Sequence, residues 1–81
     1  MSRLANENLK RIILEVVNNQ IRDNNPPITK VTLERLKKSG YTEQQAKEKI
    51  AAILIEEIYD VLKNHEVYNE ERYAKKLSTL K

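Results

Sequence analysis

Apolar residues recur every three or four positions through the first quarter of the chain, which is the spacing of one helical face. The positions that share this face are Leu9, Ile12, Ile13, Val16, Val17 and Ile21. They predict an amphipathic helix over residues 5–23. The sequence DNNPP of residues 23–27 ends it, because proline cannot occupy a helix interior.

The two prolines also suit the start of a second helix. Asn25 is a favourable N-cap residue, and Pro26 then fills the first helical position, where proline is well tolerated. The residues Ile28, Leu33 and Leu36 fall on one side. Gly40 is the only glycine and can adopt the left-handed conformation that ends a helix. A helix over residues 26–39 follows from these signals.

A third helix begins after the sequence GYT of residues 40–42. Thr42 and Gln45 form the pattern of a capping box, with Tyr41 and Ala46 placed to contact each other across it. The helix is predicted over residues 43–64, and its apolar positions cover more than half of its circumference: Ala46, Ile50, Ile53, Leu54, Ile58, Val61 and Leu62. Ile55 and Tyr59 fall on the far side, where they are candidate interface residues.

Asn69 is a suitable N-cap for a fourth helix, with acidic residues in its first turn and Tyr68 and Tyr73 on either side of the cap. This helix is predicted over residues 70–80. Four helices joined by three short connections predict an all-α fold, a compact bundle that forms one domain over residues 1–81.

Composition narrows the function classes. The 81 residues carry a net charge of +3 with acidic and basic side chains interleaved, whereas a nucleic-acid-binding domain usually concentrates its positive charge on one face. The chain has no cysteine, which excludes disulfides and thiolate chemistry and favours a cytoplasmic location. The first ten residues lack the apolar core of a signal peptide, and the longest apolar run is six residues, so neither secretion nor a membrane span is expected.

One acidic residue occupies a position where an apolar residue is expected. On a helical wheel Glu57 falls within the apolar stripe of the third helix, between Ile50, Leu54 and Val61. A carboxylate in a protein core requires a partner. Three interpretations remain open: a buried acid that Arg72 or a tyrosine hydroxyl (Tyr73 or Tyr41) holds, an acid at the edge of the stripe after rotation of the helix, or a functional acid.

The remaining chemistry is sparse. His65 is the only histidine and falls in a connection, whereas a zinc site needs three or four ligands that are usually His or Cys. No catalytic triad, glycine-rich phosphate loop or P-loop pattern is present. We therefore expect no enzyme activity, no cofactor and no metal.

The chain resembles a group of short bacterial helical domains of uncharacterised function. The resemblance covers residues 24–80 and implies a helical fold with no known activity. The residues that carry it are Asn25, Pro26, Pro27, Leu33, Leu36, Gly40, Tyr41, Thr42, Ala46, Ile50, Leu54, Glu57, Ile58, Glu71, Arg72 and Tyr73.

Two functions remain. The second and third helices resemble a helix-turn-helix, but Glu43 and Glu48 at the leading edge of the would-be recognition helix repel phosphate, so nucleic-acid binding is the weaker alternative. Surplus apolar residues on the third helix favour a non-enzymatic interaction or accessory module instead. Its partner would be an unknown protein or a second copy of the chain, and Ile55 and Tyr59 are the candidate interface.

Overall fold

Four helices account for most of the chain. The computed structural model describes residues 3–81, with side chains from Asn8 onward. The helices are α1 (Arg3–Asp23), α2 (Pro27–Lys38), α3 (Glu43–Asn64) and α4 (Glu70–Ser78). The predicted all-α, four-helix fold is confirmed, and each observed boundary lies within two residues of the predicted one.

The helices pack around α2 and α3, each of which contacts all the others. Arg35 near the end of α2 reaches the last turn of α4, and Asn69 at the start of α4 reaches Glu57 in the second half of α3. The end of α4 therefore lies against the end of α2, and the start of α4 lies against the second half of α3. The apolar core between the helices comprises Ile13, Val17, Leu33, Leu36, Ala46, Ile50, Ala51, Leu54, Tyr73 and Leu77.

The start of α2 differs from the prediction by one residue. Pro26, rather than Asn25, is the N-cap residue, and Pro27 is the first helical residue. The cause is the second proline, since a residue that precedes proline is sterically kept out of the helical region. Pro26 accordingly has an extended conformation, with φ −74° and ψ 151°.

The other caps follow the sequence closely. Thr42 accepts a hydrogen bond from the backbone N–H of Gln45, whose side chain accepts one from the backbone N–H of Thr42. The predicted capping box at the start of α3 is therefore confirmed. In the turn between α2 and α3, Gly40 has φ +108°, a conformation that residues with L side chains rarely adopt.

The apolar face of α1 is wider than the surface it buries. Ile13 and Val17 are in the core and Ile21 is partly buried, whereas Leu9, Ile12 and Val16 are 36–54% exposed. The periodicity correctly predicted the helix, but only part of its apolar face is covered in the structure. The reason is that α1 packs against α2 and α3 on one side only.

The end of α4 is fastened by an arginine from α2. The Arg35 guanidinium donates to the carbonyl of Leu77 at 2.9 Å and also to that of Leu80. These carbonyls lie in and just beyond the last turn, where a helix lacks backbone donors. α4 ends at Ser78, two residues before the predicted end, and Thr79 is its C-cap. Within residues 3–81, every helix is too short or too polar to cross a membrane.

Replacing the α3 cap should weaken the fold. Thr42→Ala removes the acceptor for the Gln45 N–H, and loss of such a cap costs about 1 kcal/mol, or roughly 4–8 °C in melting temperature for a domain of this size. Thermal unfolding followed by circular dichroism measures the change. Thr42→Ser, which keeps the hydroxyl, is the control and should melt close to the wild type; equal losses in both variants would contradict the capping role.

Candidate functional site

Glu57 lies in the middle of the second half of α3 and is fully buried, with 0% exposure. Its carboxylate is held from one side by α4. Arg72 Nε donates to Oε1 at 2.9 Å and to Oε2 at 3.1 Å, and Arg72 Nη2 also donates to Oε2. The backbone N–H of Asn69 adds a longer contact to Oε2 at 3.4 Å. The sequence left three interpretations of Glu57 open. The structure shows the first of them, a buried acid paired with Arg72.

Local signals at the start of α4 bring Arg72 to this position. The Asn69 side chain caps the helix by accepting from the backbone N–H of Arg72 at 3.0 Å. Tyr68 and Tyr73 pack across the cap with ring centroids 6.1 Å apart. Because Arg72 is the third residue of the helix, its orientation is set by the cap before its side chain meets Glu57.

Two further acids complete the network on its solvent side. Arg72 Nη1 donates to Glu66 at 2.6 Å, and Lys76 Nζ lies 2.7 Å from Asp60 and 3.7 Å from Glu57. The side chains of Arg72 and Lys76 are 29% and 24% exposed. The cations therefore cover the buried carboxylate and connect it with the surface.

The electrostatics favour the charged form of the Glu57 carboxylate. Hydrogen bonds from Arg72 lower the pKa of Glu57, and their effect exceeds that of burial, which acts in the opposite direction. The same pairing raises the pKa of Arg72. A general acid at neutral pH needs the reverse, a carboxyl with a raised pKa. The arrangement suits a structural ion pair better than proton transfer.

Tyr73 forms a second buried polar group. Its hydroxyl donates to Oε1 of Gln20 in α1 at 3.2 Å, and the Thr29 hydroxyl in α2 donates to the same oxygen at 2.8 Å. Tyr73 and Thr29 are both 0% exposed, and burial is the main cause that raises the pKa of Tyr73 to about 12. The tyrosine thus links α4 to α1 and α2.

The two tyrosines that were candidate partners of Glu57 form hydrogen bonds with other groups. Tyr73 directs its hydroxyl to Gln20, and the Tyr41 hydroxyl donates to the backbone carbonyl of Lys81 at 2.7 Å. Sequence reasoning missed Gln20 and Thr29. Thr29 lies four residues before the core residue Leu33, on the buried face of α2, which was the available signal.

The two candidate interface residues differ. Ile55 is partly buried and packs against the core, whereas Tyr59 is 61% exposed. Two of the apolar residues that the sequence distributed around α3 also face solvent: Leu62 is 67% exposed and Ile58 is 38% exposed. We call Ala52, Ile55, Ile58, Tyr59 and Leu62 the α3 outer face; they lie on one side of the helix at intervals of one, three or four residues.

The helix-turn-helix alternative depends on the first turns of α3. Glu43 lies 3.4 Å from Lys37 and 3.1 Å from Lys47, and Glu48 lies 3.1 Å from Lys10. These acids neutralise the lysines that phosphate groups would need. The first turns of α3 therefore carry paired acidic and basic side chains rather than a concentration of positive charge.

His65 follows α3 as its C-cap, with a left-handed φ of 55°, and is exposed. Among the residues whose side chains are described, no three acidic or histidine side chains lie together in a group that could hold a metal ion. No protein-family model, curated protein or solved structure matches the chain.

Removing the cation should cost more stability than neutralising the acid. Arg72→Ala leaves a buried carboxylate without its main partner, whereas Glu57→Gln keeps the shape and leaves an arginine that water can reach. We expect Glu57→Gln to lower the free energy of unfolding by about 1–2 kcal/mol. Arg72→Ala should lower it at least twice as much. Urea and thermal unfolding at pH 7 measure both, with the exposed Lys75→Ala on the same helix as control.

Acid should remove the contribution of this pair. Because the pKa of Glu57 is lower in the folded chain than in the unfolded chain, its stabilising effect is fully present above the unfolded pKa of about 4.3. The effect is lost as the pH falls through the lower, folded pKa. The difference in unfolding free energy between wild type and Glu57→Gln should therefore shrink below about pH 4.3. A difference that stays constant in this range would contradict the lowered pKa.

Proposed function

We propose that this protein is a non-enzymatic helical interaction module that binds a protein partner through the α3 outer face. The observation that carries the proposal is the exposure of three large apolar side chains, Ile58, Tyr59 and Leu62, on one side of a helix whose opposite side forms the core. Contiguous exposed apolar side chains are typical of partner-binding surfaces.

The proposal assigns the buried polar groups to folding. Glu57 is enclosed and fully occupied by hydrogen bonds from α4, and Tyr73 is enclosed and occupied by Gln20. Neither side chain is accessible to a substrate. Among residues with described side chains, no buried side-chain nitrogen or oxygen lacks a hydrogen-bond partner, so no orphaned group indicates a missing ligand.

The partner is proposed to be a protein, including a second copy of this chain. Tyrosine suits such a surface because it combines a large apolar ring with a hydroxyl that tolerates water, and tyrosine is enriched in interfaces. We place the module in the cytoplasm, since the chain has no cysteine for disulfides. Nucleic-acid binding is the weaker alternative, because Glu43 and Glu48 pair with lysines that phosphate contacts would otherwise use.

A capture experiment tests the proposal. The tagged protein is immobilised and exposed separately to an extract of the cells that encode it and to an untagged second copy of the chain. Tyr59→Lys and Leu62→Lys should each reduce the retained partner by about tenfold, because a charge is placed in the apolar contact. Both positions are exposed, so the fold should survive; circular dichroism checks this.

Val31→Lys is the matched control, since Val31 is 59% exposed but lies on α2, away from the α3 outer face. This variant should retain the partner as the wild type does. A partner retained equally by all four proteins, or by none of them in either arm, would overturn the proposal.

A further inference from the structure

The spacing on the α3 outer face fits another helix. Ala52, Ile55, Tyr59 and Leu62 follow one another at three, four and three residues, which is the a–d–a–d spacing of a coiled-coil seam. Ala52 is exposed, Ile55 is partly buried, and Tyr59 and Leu62 are more than half exposed. The large apolar side chains that the seam leaves exposed therefore lie in the second half of α3.

Two charges beside this seam have no close ion-pair partner among the described side chains. Glu56 and Lys63 are exposed and lie seven residues apart, at the same position of successive heptads on the same flank. The other acids of α3 (Glu43, Glu48, Glu57 and Asp60) all form ion pairs. Glu56 and Lys63 form none with the side chains that the structure describes.

A two-fold axis would bring these two charges together. If two α3 helices lie antiparallel and cross between Tyr59 and Asp60, a residue numbered n lies level with residue 119 − n of the other helix. Glu56 of one copy then faces Lys63 of the other, and the symmetry repeats the pair. A parallel pair would instead place Glu56 against the flank that carries Ile58, where α3 offers no lysine.

The same crossing point suits the apolar residues. It brings Tyr59 of each copy next to Leu62 of the other, and these are the two most exposed large side chains of the seam. Ile58 lies beside them on the second flank. Ile55, which the core already covers in part, is left at the edge of the contact.

We infer that the α3 outer face binds a second copy of this chain, with the two α3 helices antiparallel and two Glu56–Lys63 ion pairs across the two-fold axis. The inference rests on the proposed function and names its partner. The seam from Ala52 to Leu62 spans only about 15 Å at 1.5 Å per residue. A contact between two such short segments should bury less surface than a standard interface of about 1,600 Å². We therefore expect the dimer to be weak and its population to depend on concentration.

Sedimentation equilibrium of the full chain from about 10 µM to about 1 mM tests the dimer. The wild-type mass should rise from 9.5 kDa toward twice that value. Leu62→Lys should remain monomeric at every concentration, and Val31→Lys should behave as the wild type. A wild-type mass of one chain at 1 mM would overturn the inference.

Charge reversal tests the antiparallel geometry. Glu56→Lys and Lys63→Glu should each weaken dimerisation by about threefold to tenfold at low salt, because each turns two attractive contacts into repulsive ones. An equimolar mixture of the two single variants should form a heterodimer at least as tight as the wild-type dimer, since every charge then meets its opposite. The double variant should also dimerise again. A mixture no tighter than either variant alone would overturn the antiparallel arrangement.

Failure of this inference is distinguishable from failure of the proposed function. If the wild type stays monomeric but retains a different protein through Tyr59 and Leu62, the second copy is the wrong partner and the interaction module stands. If the wild type is monomeric and retains no protein through these residues, both proposals are overturned.

Discussion

The structure depends on one constraint, the need to neutralise a carboxylate placed inside the apolar stripe of its longest helix. Glu57 has no exposed surface, and the free energy of leaving such a charge unpaired exceeds what any single apolar contact returns. Arg72 in α4 neutralises this charge by hydrogen bonds to the carboxylate. The capping of α4 by Asn69, the packing of Tyr68 on Tyr73, and the positions of Glu66 and Lys76 all serve to bring cations to this point and keep them there.

Much of this could be predicted from the sequence because the determinants are local. A capping box, a proline pair, a glycine in a turn and an acid at an apolar wheel position each have a short-range physical cause. The burial of Glu57 follows from its phase among Ile50, Leu54 and Val61, and Arg72 is a basic residue in the first turn of the next helix. Even the one-residue shift at Pro26 has a local reason, the proline that follows it.

The remainder depends on how helices share neighbours, which periodicity does not contain. Leu9 and Ile12 have the spacing of core residues but lie where α1 has no facing helix. Ile58 and Leu62 behave likewise on α3. Conversely, Gln20 and Thr29 are polar and join the interior because Tyr73 reaches them from a helix 53 residues away from Gln20 in sequence. Such long-range pairings need the packed arrangement before they can be recognised.

The reliance of Glu57 on Arg72 has a consequence for cooperativity. α4 is only nine residues long, too short to persist as an isolated helix in water. Without α4, the other three helices would leave the Glu57 carboxylate of α3 without its arginine partner. Neither part is therefore stable without the other, so the shortest helix should not detach as an independently fraying unit. The backbone amides of α4 are expected to exchange with solvent through opening of the whole domain, as one cooperative foldon.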